Sequence, residues 1–119
     1  MSRAFALIVE DDSQLSQIFA RTLQDQFETE ISSDGSTAIM RLAQIVPDLV
    51  LLDLNLPGMG GKDILIAIRE DARMANTRVI LCTADARQAD MLQEKADVVL
   101  LKPISPSQLR SIASRLITK

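Results

Sequence analysis

The chain has no histidine, only one cysteine and no apolar run long enough to span a membrane. Without histidine there can be no His-based triad, no imidazole general base and no phosphohistidine, so any phosphoryl group must come from elsewhere. The lone Cys82 cannot close an internal disulfide. Lying within an apolar run, it reads as a small core residue rather than a nucleophile. No N-terminal leader or long apolar span directs the chain to export or to a membrane, which makes the cytosol the expected location. Excess positive charge is missing too. Thirteen Lys and Arg against 16 Asp and Glu give a formal charge of -3, without the clustered cations that neutralising nucleic-acid phosphates requires. Direct DNA or RNA binding is not expected. At 119 residues the chain, 1–119, has the length of one domain, able to bury roughly two thirds of its unfolded surface.

What is present is an alternation of short apolar runs and amphipathic stretches, with no internal repeat, linker or low-complexity segment. Ala4 to Val9 is a continuous apolar run ended by acids, the pattern of a strand buried on both faces. Asp12 or Ser13 can cap a helix that buries Leu15, Ile18, Phe19 and Leu23. Phe27 to Ser32 mixes charged and apolar residues, as an edge strand does, and Asp34-Gly35 closes it. A helix with Ala38, Ile39, Leu42 and Ala43 inward ends before Pro47, and Leu49 to Leu52 is a solid apolar strand. After Pro57-Gly58-Met59-Gly60-Gly61, a third helix presents Ile64, Leu65 and Ile68, and Arg78 to Cys82 forms a fourth strand. Residues 86–95 have room for only a short helix before the strand Val98 to Leu101. In the closing helix Ser105 is the N-cap, Pro106 takes the first position, and Leu109, Ile112, Ala113 and Leu116 form the buried stripe.

Five alternating strand–helix units predict an α/β fold: a single five-stranded parallel sheet, doubly wound by five helices, the fourth of them short. With the common strand order 2-1-3-4-5, the order reverses between the first and third strands, and ligands bind beyond the carboxyl ends at such a point. Glu10 and Asp11 follow the first strand, Asp53 the third, Thr83 the fourth and Lys102 the fifth. Taken singly, each suits a helix cap, a turn or a solvated charge, and Asp12 reads as structural. Their shared placement at the ends of four separate runs is what points to a site.

Three carboxylates at one sheet edge repel one another and call for a compensating cation. Hard oxygen ligands with room for water suit Mg²⁺. Asp53, already ionised, can attack a phosphorus atom in line without a general base. Lys102 offers a mobile positive charge to the phosphoryl group, and the Thr83 hydroxyl can donate to one of its oxygens.

The motifs Val9-Glu10-Asp11-Asp12, Pro47-Asp48, Asp53-Leu54-Asn55-Leu56-Pro57-Gly58, Thr83-Ala84 and Leu101-Lys102-Pro103 resemble, in order and over essentially the whole chain, the receiver domain of two-component response regulators. The resemblance implies that Asp53 is the phosphoacceptor and Asp11 a direct Mg²⁺ ligand. It makes Glu10 an outer acid acting through water and the Asn55 backbone carbonyl a further ligand. It also implies that Thr83 and Lys102 contact the phosphoryl group, that Ala84 leaves it space, and that Asn55 and Asp85 flank the path of hydrolytic water. The implied donor is a sensor histidine kinase or a phosphotransfer protein. The implied role is a signalling domain that catalyses only its own phosphoryl transfer and slow dephosphorylation, feeding an output partner that the sequence does not name. In the family the Lys-Pro bond at Lys102-Pro103 is usually cis.

Two features depart from the family pattern. Val99 stands three residues before the lysine, where receivers usually carry Tyr or Phe, and a short branched side chain cannot repeat the swing of a ring. Lys95 replaces a common glycine before the last strand, and the stretch from Thr83 to Lys102 is about one helical turn short. Readout is therefore expected through the loop after Thr83 and the short fourth helix. Two rival readings stand beside this one. A haloacid-dehalogenase-type phosphatase needs a second Asp where this chain has Asn55, and a phosphorylation-independent interaction module would have no use for all five site groups.

Overall fold

The computed structural model describes residues 3–117. Its apolar runs are strands because each is too short for a buried helix and is rich in branched and aliphatic residues that fill both faces of a pleated layer. In chain order the elements are β1 (Ala4–Val9), α1 (Ser13–Leu23), β2 (Phe27–Ser32), α2 (Gly35–Leu42), β3 (Leu49–Asp53) and α3 (Gly61–Glu70). They are followed by β4 (Arg78–Thr83), α4 (Ala86–Leu92), β5 (Val98–Leu101) and α5 (Pro106–Ile117). A short 3-10 turn, Ala72–Met74, joins α3 to β4. The strands form one sheet in the order β2-β1-β3-β4-β5, with every pair parallel. The expected topology and its reversal point between β1 and β3 are both present.

Alternation along the strands divides the interior in two. Leu7, Val9, Val50, Leu52, Val79 and Leu81 pack with Ala38 and Leu42 of α2, Ile64, Leu65 and Ile68 of α3 and Leu92 of α4. On the other face Ala6, Ile8, Leu49, Leu51, Ile80 and Cys82 pack with Phe19 and Leu23 of α1 and Leu109 and Ala113 of α5. Burial on both faces makes the sheet rigid, so its carboxyl edge is a firm base for whatever the strand ends carry.

The helix starts follow the side chains that can satisfy free amides. Asp12 caps α1 by accepting from the Gln14 and Leu15 N–H groups at 2.9 and 3.1 Å. Asp34 caps α2 through the Thr37 N–H at 2.8 Å, a bond that holds its carboxyl below the usual range. The α1 stripe differs from expectation at one position. Ile18 is exposed, whereas Ser16 and Thr22 are buried. Their hydroxyls donate to the carbonyls of Ser13 and Ile18 at 3.1 and 2.8 Å, so they can face the sheet without leaving a polar group unpaired. The second helix stops at Leu42, leaving Ala43 as its exposed C-cap.

Lys95, in place of the family's glycine, needs no left-handed backbone, since no non-glycine residue among those described has positive φ. Its segment is braced by Arg69, in the last turn of α3. The guanidinium donates to the carbonyls of Lys95 at 2.7 Å and Thr77 at 3.0 Å and to the Asp97 carboxylate at 3.0 Å. Asp97 also accepts the Val79 N–H at 2.7 Å. One side chain thus ties α3, the start of β4 and the turn before β5.

Candidate functional site

The register fixes where the strand-end residues fall. Val9 lies beside Leu52 across the β1–β3 pair and Asp53 beside Cys82 across β3–β4, so Glu10, Asp53 and Thr83 leave neighbouring strands at the same edge. The ladder continues past β5, where the Lys102 N–H donates to the Thr83 carbonyl at 2.8 Å. Lys102-Pro103 is cis.

Glu10 and Asp53 are each only 3 % exposed, an unusual degree of burial for ionisable side chains, and Thr83 at the same edge is fully buried. Carboxylate oxygens of Glu10, Asp11 and Asp53 lie within 4.8 Å of one another, with Asp11 on the exposed side. The Lys102 ammonium is 3.3 Å from Asp53 Oδ2 and 3.6 Å from Glu10 Oε1. Burial opposes its charge, but Asp53 and Glu10 together outweigh burial and hold the lysine above its ordinary range. The other Asp53 oxygen, Oδ1, accepts the Asn55 N–H at 3.0 Å, which fixes the carboxylate plane. Glu10 Oε2 accepts the Asp12 N–H at 3.1 Å, whereas Glu10 Oε1 is buried with no hydrogen-bond donor.

Thus Glu10, Asp11, Asp53 and Lys102 come together as the sequence suggests, and Asn55 adjoins them through its backbone. Thr83 reaches the same edge, but its hydroxyl is already engaged. It accepts the Asp85 N–H at 3.0 Å and donates to Gln88 Oε1 at 3.1 Å. Gln88 has no role legible in the sequence, since a polar residue early in a short, weakly patterned helix offers little signal. Asp85 caps α4, its carboxylate accepting the Arg87 N–H at 2.9 Å. Val99 is half-buried and packs on the α2, α3 and α4 side of the sheet. Cys82 is buried, and burial pushes its thiol up, well away from nucleophilic use at neutral pH.

A buried acceptor without a donor, set among repelling carboxylates, fits a hard divalent cation. The same repulsion has a pH signature. Burial, with the charge of Asp53 added, pushes Glu10 up to about 7 from its ordinary 4.5 despite the opposing Asp12 N–H and Lys102. Between those two values the folded state holds a proton that the unfolded state has released. This group therefore makes the metal-free protein lose stability as pH rises through that window. Melting temperatures in chelator should fall from about pH 5 to about pH 7.5, and Glu10→Gln should flatten the slope. An unchanged slope in the variant would assign it to other groups.

A doubly wound parallel α/β domain with an acidic, lysine-flanked pocket at its switch point is the class that this geometry defines. Residues 6–114 match the response regulator receiver domain, and the chain belongs to that family. It is 35 % identical over 107 residues to the DNA-binding response regulator MtrA of Mycolicibacterium paratuberculosis, a match that covers 87 % of this chain and 46 % of MtrA. The chain therefore spans about half the length of such curated relatives. A sensor histidine kinase, TmoS of Ectopseudomonas mendocina, is 29 % identical over 115 residues, 94 % of this chain and 12 % of TmoS. Among solved structures, the chemotaxis response regulator CheY4 of Vibrio cholerae superposes with a TM-score of 0.88 at 26 % identity, covering 98 % of this chain and 100 % of CheY4. The domain is thus one of phosphorylation-dependent two-component signalling, and neither rival reading finds support in these likenesses. No helix among the described residues is long and apolar enough to cross a membrane.

Proposed function

We propose that the chain acts as one receiver unit that accepts a phosphoryl group on Asp53 from the phosphohistidine of a sensor histidine kinase or phosphotransfer protein. The observation that carries this reading is the placement of a buried Asp53 carboxylate with one oxygen fixed by the Asn55 N–H and the other 3.3 Å from the Lys102 ammonium. An Asp53 oxygen attacks the phosphorus, the P–N bond breaks as the P–O bond forms, and the electron pair leaves on the donor's imidazole, which takes a proton. Lys102 offsets the charge gathering on the phosphoryl oxygens. Glu10, Asp11 and Asp53, with the Asn55 backbone carbonyl, would hold Mg²⁺. When bound, that ion neutralises charge shared between the carboxylates and the phosphoryl group.

The chain's own turnover is limited to this transfer and to slow hydrolysis, with Asn55 and Asp85 beside the water's path. The exchange is set in the cytosol. Its product is a change of conformation read by an output partner or effector region, without direct nucleic-acid contact by this domain.

Incubation with acetyl phosphate and Mg²⁺, followed by intact mass and peptide mapping, tests the assignment. One phosphoryl group on Asp53, absent in Asp53→Asn and absent when Mg²⁺ is chelated, is the expected result. Uptake that survives Asp53→Asn would overturn it, and sustained turnover of a small phosphate ester would revive the phosphatase reading.

A further inference from the structure

The hydroxyl of Thr83 has one proton and two lone pairs. In this structure it accepts the Asp85 N–H and gives its proton to Gln88 Oε1 at 3.1 Å. Thr83 is fully buried and follows Cys82, the register partner of Asp53, so its hydroxyl is a donor at the same sheet edge where Asp53 ends β3. That donor is committed to α4. The helix is only seven residues long and buries Leu92 alone, which leaves the Thr83–Gln88 bond as a principal tie between its first turn and the sheet. Val99, half-buried on the same side, supplies no ring that could take over the coupling.

We propose that Gln88 is a positioning residue that holds the Thr83 hydroxyl turned toward α4 until a phosphoryl oxygen on Asp53 takes the same proton, which releases the first turn of the helix. The inference rests on Asp53 being the phosphoacceptor. An anionic phosphoryl oxygen is a stronger acceptor than a neutral amide, so the exchange runs toward the phosphorylated site. Because the bond to Gln88 exists only in the unmodified state, it works against phosphoryl binding, and the two sites share one coupling free energy.

Beryllofluoride with Mg²⁺ serves as the phosphoryl mimic, its affinity measured by calorimetry. Gln88→Met keeps the length of the side chain and removes the carbonyl acceptor. Its affinity should rise by about two- to tenfold, the worth of one neutral hydrogen bond. Loss of packing alone would not tighten binding. On a Thr83→Ala background the same change should have no effect, because the proton in dispute is gone. Amides of Ala86–Leu92 in mimic-free Gln88→Met should exchange as fast as in the parent with mimic bound. Unchanged or weaker binding in Gln88→Met, or an equal gain with and without Thr83, would overturn the role of Gln88. If the parent fails to bind the mimic, or Asp53→Asn binds it as well, the phosphoacceptor reading falls and this inference falls with it.

Discussion

Gly61→Ala is expected to destabilise the domain by about 3 kcal/mol and to weaken Mg²⁺ binding at the same time, although residue 61 contributes no side chain to the site. A Cβ at Gly61 would stand 2.5 Å from the Asp53 carbonyl oxygen and 2.7 Å from Leu54 Cα. Both are backbone atoms that cannot rotate aside, so either the start of α3 lifts or the end of β3 is pushed, and the latter carries Asp53. Gly60 gives the control. Its φ of -74° suits any residue, nothing lies within 4 Å of a Cβ built there, and Gly60→Ala should change stability by only a few tenths of a kcal/mol. Urea midpoints and Mg²⁺ titrations of the two variants provide the comparison. Matching curves would mean that α3 can shift without cost.

Lys102→Met should have a comparable effect through charge rather than volume. The ammonium is the cation nearest to two carboxylates that are each 3 % exposed, at 3.3 Å from Asp53 and 3.6 Å from Glu10. Removing one partner of such a group leaves buried negative charge uncompensated, at a cost of about 3 kcal/mol to the metal-free protein. Mg²⁺ should recover more stability in this variant than in the parent, since it meets less positive charge in the pocket, and binding to the folded state alone raises the melting temperature. Uptake of phosphate from acetyl phosphate should drop at least about tenfold, the equivalent of one lost charge contact in the transition state. A variant as stable without metal as the parent would show that the carboxylates do not depend on the lysine.

The sequence revealed the sheet because β1, β3 and β4 are buried over most of both faces and so appear as apolar runs, each ending at or just before a residue with chemistry. It revealed Ser105 and Pro106 at the start of α5 and the brevity of α4 for similarly local reasons. Other features lay beyond local pattern. Thr22 and Ser16 displaced Ile18 from the buried face of α1 because a hydroxyl that bonds to its own helix carbonyl becomes acceptable inside, which hydrophobic spacing does not register. Gly61 looked like one more turn residue in a glycine-rich loop, and only the fold shows the backbone of β3 lying against it. Arg69 acts on carbonyls 8 and 26 residues away, a span over which no motif exists. The four charged groups of the site were legible by position. The direction of the Thr83 hydroxyl was not, because it depends on an acceptor from a different element.

The Arg69 brace also sets what kind of displacement α4 can make. The downstream end of that helix is pinned, with Leu92 inserted in the core, its carbonyl accepting the Lys95 N–H at 3.0 Å, and Lys95 in turn held by the guanidinium. The upstream end rests on a few polar contacts beside the acidic pocket. If the Thr83–Gln88 bond is released as proposed, movement would be confined to the upstream turn, with Leu92 staying in the core. A partner that senses the signal would therefore meet a change concentrated around Ala86, Arg87 and Gln88.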